Sequence, residues 1–148
     1  MADFIGRDES EARALLAAAG VRILTIDSPD HEIVLGQVLE ADAREERASI
    51  VAEPPEDDEA AAEGMGAWHV NEVNEFETVI DGEGIVEFWT SDGAVAVLLT
   101  AGDIMAVERA EHRYRPLTSQ SWVLRFGGPA DGELVAMETE RESGDWPL

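Results

Sequence analysis

The feature that most constrains this chain is a series of short apolar segments, separated by glycine turns, over its second half. From residue 67 onward these segments alternate apolar and polar residues as β-strands do, and turn signals such as Asp81-Gly82 and Ser91-Asp92-Gly93 bound them. The segments cover residues 75–80, 84–90, 94–100, 104–107, 111–115, 122–126 and 133–138. Short strands at this spacing predict a mainly β fold, either a small barrel or a double-sheet jelly roll.

The first part of the chain has a different pattern. Residues 8–19 have the period of an amphipathic helix, with Asp8 or Ser10 as its N-cap and Gly20 at its end. Residues 21–26 predict a strand. Residues 33–43 are compatible with a second helix, and the pattern allows that helix to extend to residue 50.

Acidic residues and prolines dominate residues 53–64. This composition predicts a solvated, mobile loop, and an acidic lip that attracts cations is the alternative. We expect residues 1–66 to form a helix–strand–helix extension with this acidic loop, packed on a β-barrel of residues 67–148. A chain of 148 residues with 45% hydrophobic content is typical of one compact domain.

Charge and cysteine content exclude several classes of protein. The chain has 33 acidic residues against 10 basic ones, all arginines, and a formal net charge of -23. Nucleic acids and anionic membranes need cationic patches, so neither is an expected partner. The absence of cysteine excludes disulfides and thiolate chemistry. The N-terminus lacks a basic start followed by an apolar run, which predicts a cytoplasmic protein.

Two histidines and a glutamate have the residue types of a metal site. His69 is followed by Asn71 and Glu75, and His112 lies ten residues after Gly102. Two imidazoles and one carboxylate on one face of a metal, with other positions open, suit non-haem Fe(II) and oxygen chemistry. A single histidine is more often a hydrogen-bonded structural residue, and this is the alternative for each of the two.

These two segments resemble the metal-binding motifs of cupins, and within cupins those of the acireductone dioxygenase family. The residues that fall into the register of these motifs are His69, Asn71, Glu75 and the Asp81-Gly82 turn in the first, and Gly102, Asp103 and His112 in the second. The resemblance covers about residues 10–128 and is weak over 33–65. It implies a cupin double-stranded β-helix, a jelly-roll barrel, with a metal held by His69, Glu75 and His112.

Three positions depart from the family pattern. Asn71 stands where the family has its second histidine, Glu77 stands where it has an arginine that meets the anionic substrate, and Glu108-Arg109-Ala110 replaces a proline-containing turn. Asn71 is then either a weak fourth metal ligand or a hydrogen-bonding neighbour of the ligands. Because a carboxylate reverses the electrostatic preference for an enediolate, Glu77 predicts a substrate other than acireductone.

The arginines and aromatic residues suggest how the rest of the pocket is built. Strand alternation places Arg113 and Arg115 on the face opposite His112, outside the barrel. Arg125 lies on a later strand and, if it points inward, is the best cation for an anionic substrate. We expect some of the aromatic residues to line the pocket or an oligomer contact. His31 is expected at the surface.

The sequence therefore predicts a metal-dependent oxygenase that acts on a small chelating substrate. Fe(II) is the expected metal, with Ni, Mn, Zn and Co as alternatives. The candidate metal ligands are His69, Asn71, Glu75 and His112, and the candidate catalytic residues are Glu75, Glu77 and Arg125. The expected partners are the substrate and dioxygen, and a homodimer is left open. A non-oxidative isomerase or lyase, a biosynthetic tailoring cupin and a non-catalytic binding cupin are the alternative functions.

Overall fold

Two helices precede the main series of strands. The computed structural model describes residues 2–29, 31–39, 44–128 and 136–147. Within these ranges the helices are α1 (Glu9–Ala18) and α2 (His31–Leu39), with 3-10 turns at Ala60–Ala62 and Gly64–Gly66. The strands are β1 (Asp3–Phe4), β2 (Val21–Thr25), β3 (Arg44–Ala52), β4 (His69–Asn71), β5 (Asn74–Asp81), β6 (Gly84–Thr90), β7 (Gly93–Leu99), β8 (Asp103–Val107), β9 (His112–Pro116), β10 (Gln120–Gly128) and β11 (Ala136–Glu138).

The strands form two antiparallel sheets that enclose a cavity. One sheet has the order β1-β7-β6-β9-β4-β11 and the other the order β2-β8-β5-β10-β3. Residues from both sheets line the same cavity, so the sheets face each other. The predicted mainly β jelly-roll architecture is confirmed. Among the described strands no ladder joins the two sheets, so they make a sandwich and not a closed barrel.

Strands from the first part of the chain complete the edges of both sheets. β1 pairs with β7, β2 pairs with β8, and β3 pairs with β10. These pairings join residues 3–52 to strands that come much later in the sequence. The proposed division of the chain at residue 66 stays a prediction.

The predicted extension of the second helix to residue 50 is wrong. Helix α2 ends at Leu39, and Arg44–Ala52 is strand β3. β3 pairs with β10 over nine residues, from Arg44 opposite Gly128 to Ala52 opposite Gln120. This long ladder overrides the local helical preference of a segment rich in Arg, Glu and Ala. Residues 40–43 and 133–135, which the predictions also covered, lie outside the described residues.

Helix α1 forms as its sequence predicts. The Asp8 carboxylate accepts a hydrogen bond from the Glu11 backbone N–H at 3.1 Å and caps the first turn. Ala12 and Leu16 are buried on the face toward the sheets. Gly20 follows the helix with a φ of 90°, a conformation that glycine adopts without strain. No helix in the described ranges is long and apolar enough to cross a membrane.

Helix α2 decides which face of strand β5 is turned toward the cavity. Val34 and Leu35 of α2 pack on Phe76, together with two residues of β8. Since side chains alternate along a strand, the neighbours of Phe76 in sequence, Glu75 and Glu77, point the other way, into the space between the sheets. The helix therefore covers the outer face of the sheet and leaves its acidic positions inside.

The acidic segment before β4 has more local structure than its composition predicts. Residues 56–60 are exposed, in agreement with the predicted solvated loop. Two 3-10 turns follow, and Ala61 and Gly66 within them are buried. A Cβ atom at Gly66 would overlap the Ala61 carbonyl oxygen, so the two turns pack closely against each other.

Replacement of Gly82 by alanine is expected to lower the free energy of unfolding by about 2–3 kcal/mol. Gly82 has a φ of 78°, which costs a residue with a Cβ about 1–2 kcal/mol, and its Cβ would overlap the backbone carbonyl of Ser119. Gly93→Ala is the matched control, because Gly93 has a φ of 84° and an added Cβ would meet nothing within 4 Å. Urea unfolding measures both variants, and equal losses would contradict a role of the Ser119 contact.

Candidate functional site

A cavity of about 250 Å³ lies between the two sheets. Its apolar walls come from Ile50, Met65, Val79, Leu99, Met105 and Leu124. Its polar and aromatic positions are His69, Asn71, Glu75, Glu77, His112, Tyr114, Gln120 and Trp122. Liquid water occupies about 30 Å³ per molecule, so the cavity has room for a small molecule. A largely apolar pocket with a few converging polar groups is the usual form of a ligand site.

His69 and His112 lie side by side at one end of this cavity. They are opposite each other in the β4–β9 ladder, and their ring centroids are 4.4 Å apart. The Nδ1 of His69 lies 2.7 Å from the carbonyl oxygen of Ala67, and the Nδ1 of His112 lies 2.8 Å from that of Ala110. A carbonyl only accepts, so each Nδ1 carries the proton and each Nε2 keeps a free lone pair.

Burial keeps both imidazoles neutral. It lowers the pKa of His69, with a further lowering from His112, and it also lowers the pKa of His112. His69 is 5% exposed and His112 is 4% exposed. Neutral imidazole is the form that binds metals, and a backbone carbonyl on the other ring nitrogen is the usual support of a metal-ligating histidine.

Glu75 lies near the histidines and is held by Asn71. The Asn71 side-chain amide donates a hydrogen bond to Oε1 of Glu75, and both residues are buried. Burial raises the pKa of Glu75 to about 7, while the Asn71 hydrogen bond and the nearby His69 act in the opposite direction. Near neutral pH this carboxyl group is thus poised between its charged and uncharged forms, and a cation beside it would favour the charge.

The predicted three-ligand set is only partly brought together. In the described parts of the chain, no three His, Asp or Glu side chains are placed so that they could hold a metal ion as they stand. The two histidines converge, but the Glu75 carboxylate is directed to the Asn71 amide. A buried carboxyl group needs a hydrogen-bond donor, and Asn71 is the donor it meets. Metal binding by His69, Glu75 and His112 stays a prediction.

Glu77 is the second carboxyl group of the cavity. It lies two residues after Glu75 on β5, on the same face. Burial, and next the proximity of Glu75, raise its pKa well above the ordinary value. Trp122 partly offsets this, although its indole N–H makes no hydrogen bond of standard geometry. The pKa of the neighbouring Tyr114 is raised by burial and then by Glu77, so its hydroxyl keeps its proton.

Exchange of Glu77 for glutamine is expected to stabilise the metal-free protein increasingly as the pH rises. The raised pKa means that the folded state keeps a proton that the unfolded state releases above its pKa of about 4.3. Wild-type stability is then fullest below that pH and falls above it, by up to about 1.4 kcal/mol per pH unit. Urea unfolding from about pH 5 to about pH 7 measures the difference. Glu72→Gln, at an exposed position, is the control, and a pH-independent difference would contradict the raised pKa of Glu77.

The three arginines considered from the sequence lie outside the cavity. Arg125 is opposite Phe76 in the β5–β10 ladder and so shares its outer face, not the inward face proposed for a substrate-binding cation. Arg115 lies 3.7 Å from Asp58. Arg113 faces away from the cavity, as alternation predicts, but it is only 2% exposed. No arginine of the described residues is among those that line the cavity.

Sequence reasoning missed Gln120 as a cavity residue. It is 1% exposed and lies on the face of β10 that also carries Trp122 and Leu124. The alternation of these three positions was a signal that could have placed Gln120 inside. His31 begins α2, and nothing further is described of its side chain.

Comparison with known proteins rests on structure alone. No family model and no curated protein matches the sequence. The acireductone dioxygenase from Bacillus anthracis, solved with a cadmium ion in its active centre, superposes with a TM-score of 0.58 at 15% identity, over 92% of this chain and 96% of that chain. The oxalate decarboxylase of Lactobacillus farciminis, in a formate complex, has a TM-score of 0.47 at 15% identity over 80% of this chain and 30% of that chain.

The first of these structures identifies the architecture. Its superposition extends over nearly the full length of both chains. The fold of this chain is therefore a cupin fold that resembles acireductone dioxygenase.

Proposed function

We propose that this cupin-fold chain is a metal-dependent enzyme that acts on a small molecule inside the cavity. One observation carries the proposal: two buried neutral histidines, fixed through Nδ1 by backbone carbonyls, lie side by side in a small apolar cavity. Structural histidines have no need of a shared cavity and two free Nε2 lone pairs. Metal-ligating histidines need both.

The donor set fits a divalent metal. The Nε2 atoms of His69 and His112 and the carboxylate of Glu75 would hold the ion, with Asn71 beside them as a further oxygen donor or as the hydrogen-bonding support of Glu75. Glu75 would bind the cation through its second carboxylate oxygen while Oε1 keeps the hydrogen bond from Asn71. The cation compensates the cost of a buried charge, because it favours the ionised carboxylate.

Two histidines and one carboxylate are the set that suits Fe(II) in oxygenases, with Ni, Mn, Zn and Co as alternatives. Such a metal, when bound, supplies Lewis acidity and positions for a chelating substrate and for dioxygen. The architecture shared with an acireductone dioxygenase supports the oxygenase class. We propose dioxygenase activity with Fe(II) on this basis.

The residues that line the cavity determine which substrate it can accept. The apolar walls exclude bulk water from the reacting group. Glu77, through a carboxyl oxygen in the cavity, is placed to exchange a proton with a bound substrate. No arginine of the described residues lines the cavity to bind a dianionic substrate. The substrate we propose is therefore a small chelating molecule other than acireductone.

Metal analysis and oxygen uptake test this function. Protein treated with chelator and then titrated anaerobically with Fe(II), Mn(II), Ni(II) or Zn(II) is expected to bind one ion per chain. The Fe(II) form is expected to consume dioxygen in a screen of enediol, catechol and thiol substrates. Binding no stronger than that of a chain with both His69→Ala and His112→Ala would refute the metal site. Metal binding with no dioxygen consumption would instead favour isomerase or lyase chemistry.

A non-catalytic binding protein is the second candidate. The Asn71–Glu75 hydrogen bond favours it, because that bond satisfies the buried carboxyl group without a metal. Retention of small ligands after complete removal of metal, together with failure to take up any of the four ions, is the result that would support it.

A further inference from the structure

Four buried polar atoms without a hydrogen-bond partner in the protein gather in the cavity. They are the hydroxyl oxygen of Tyr114, both amide atoms of Gln120 and the indole nitrogen of Trp122. Among the described residues these are all the buried side-chain nitrogen and oxygen atoms in that condition. All three residues line the cavity. Buried polar groups normally have hydrogen-bond partners, so four atoms without partners in one cavity indicate that a ligand binds there.

The cluster lies away from the two histidines. Tyr114 comes two residues after His112 on β9, a step of about 7 Å along the same face. The Tyr114 and Trp122 rings meet edge to face, with centroids 5.3 Å apart. The cavity therefore holds, beside the pair of imidazoles, a second set of polar groups without partners in the protein.

Gly84 gives the cluster its shape. A Cβ atom at this position would overlap both the Tyr114 hydroxyl and the Oε1 of Gln120. The two polar groups thus converge on one point of the β6 backbone. Gln120 itself is 1% exposed and lines the cavity.

The chemistry of the four atoms defines what they can bind. The Trp122 N–H only donates, the Gln120 amide both donates and accepts, and the Tyr114 hydroxyl does either. A complementary group must therefore contain an acceptor and a donor close together. Carboxamides and ureides have this combination and carry no charge.

We infer that Tyr114, Gln120 and Trp122 form a recognition pocket for an uncharged carboxamide or ureide group of the substrate. The inference rests on the proposed function, in which this cavity receives a small molecule. The substrate would then extend from this pocket, along the apolar walls, toward the histidines.

Charged groups fit the pocket less well. An anion would find no cationic partner, because no arginine of the described chain lines the cavity. An ammonium group offers no acceptor, so it would leave the N–H groups of Trp122 and Gln120 without a partner. The pocket therefore favours an uncharged group that both accepts and donates hydrogen bonds.

Binding of four matched probes tests the inference. Benzamide, benzoate, benzylamine and toluene share one ring and differ in the attached group. Calorimetry on chelator-treated wild-type protein is expected to show benzamide bound at least about tenfold more tightly than the other three. Benzoate or benzylamine binding as tightly as benzamide, or equal binding of all four, would overturn the inference.

Two variants assign the preference to the pocket. Tyr114→Phe and Gln120→Leu are each expected to weaken benzamide binding about threefold to tenfold, the effect of one lost hydrogen bond, and to leave toluene binding within about twofold. Gln37→Leu is the control, because Gln37 is exposed and bonded to Arg22. If both variants keep the full preference for benzamide, these residues do not form the pocket.

The same measurement separates this inference from the metal-dependent function. A preference for benzamide in protein that binds no metal would support the pocket and refute the metal-dependent enzyme. One metal ion per chain without any preference for benzamide would refute the pocket alone.

Discussion

A chain with His112 replaced by alanine is expected to bind divalent metal at least about a hundredfold more weakly than the wild type. Structural Zn²⁺ sites with four protein ligands have binding free energies of about 10–16 kcal/mol, so one ligand corresponds to several kcal/mol. The His112 Nε2 is free because its Nδ1 donates to the Ala110 carbonyl at 2.8 Å. Its loss leaves His69 without the second imidazole that lies 4.4 Å away. Anaerobic calorimetric titration with Fe(II) or Zn(II) measures the change.

The control for this variant is His31→Ala, which removes the one histidine outside the two motifs. It is expected to bind metal as tightly as the wild type. Circular dichroism of the metal-free proteins shows whether His112→Ala is folded, and Asn71→Ala supplies a second test in the same cavity. We expect Asn71→Ala to weaken metal binding about tenfold to a hundredfold, as the loss of a supporting hydrogen bond does. Unchanged affinity in His112→Ala would rule out the histidine pair as the metal centre.

Replacement of Arg113 by methionine is expected to lower the free energy of unfolding by about 3–5 kcal/mol. Arg113 is 2% exposed, and its Nε and Nη2 donate to Oε1 of Glu87 at 2.8 and 2.5 Å. Glu87 is itself 6% exposed, so the variant leaves a buried carboxylate without its cation. Removal of one partner of a buried ion pair is strongly destabilising, because the other charge stays buried without compensation.

Arg113 also binds the segment of residues 144–146 to the first sheet. Its guanidinium donates to the carbonyls of Gly144 and Asp145 at 3.0 and 3.2 Å and lies 4.0 Å from the ring centroid of Trp146. On its other side it lies 5.3 Å from the ring centroid of Trp68. The variant should therefore also loosen residues 139–147, which amide hydrogen exchange would detect.

The double variant Glu87→Gln with Arg113→Met tests the origin of this effect. It removes the unpaired charge, so we expect it to recover at least about half of the loss. The exposed pair Arg13–Glu9 supplies the comparison, since its side chains are 46% and 60% exposed. Glu9→Gln removes the charge of this pair and leaves the contacts of Arg13 with the Ile23 carbonyl and the Phe4 ring in place. It should cost no more than about 1 kcal/mol. A loss as large as that of Arg113→Met in urea unfolding would contradict the role of burial.

Much of the fold could be predicted because its signals are local. The strands after residue 67 follow from two-residue alternation between glycine turns, and helix α1 follows from its Asp8 cap and buried Leu16. Strand β3 could not be predicted in this way. Its residues favour a helix locally, and only the nine-residue ladder with β10 makes them a strand. Such pairing joins residues about 75 positions apart, beyond the reach of any local pattern.

The candidate site shows the same division. The motifs predicted that His69 and His112 lie close together, and the two residues are opposite each other in the β4–β9 ladder. The hydrogen bond from Asn71 to Glu75 could not be predicted from the sequence, since it depends on which donor lies beside the buried carboxyl group in the folded protein. Arg125 was considered as an inward cation, but packing against helix α2 sets the face of β5 and β10 on which it lies.

By itself, the sequence determined the mainly β architecture, the capped first helix and the two histidine motifs, because alternation, capping and turn conformations act between residues a few positions apart. The tertiary structure alone decided that Arg44–Ala52 is a strand and that Arg113 is buried. It also decided that Tyr114, Gln120 and Trp122 share one pocket. These outcomes depend on which distant strands pair and which faces become covered, and burial then sets the cost of every charge and every unpartnered polar group.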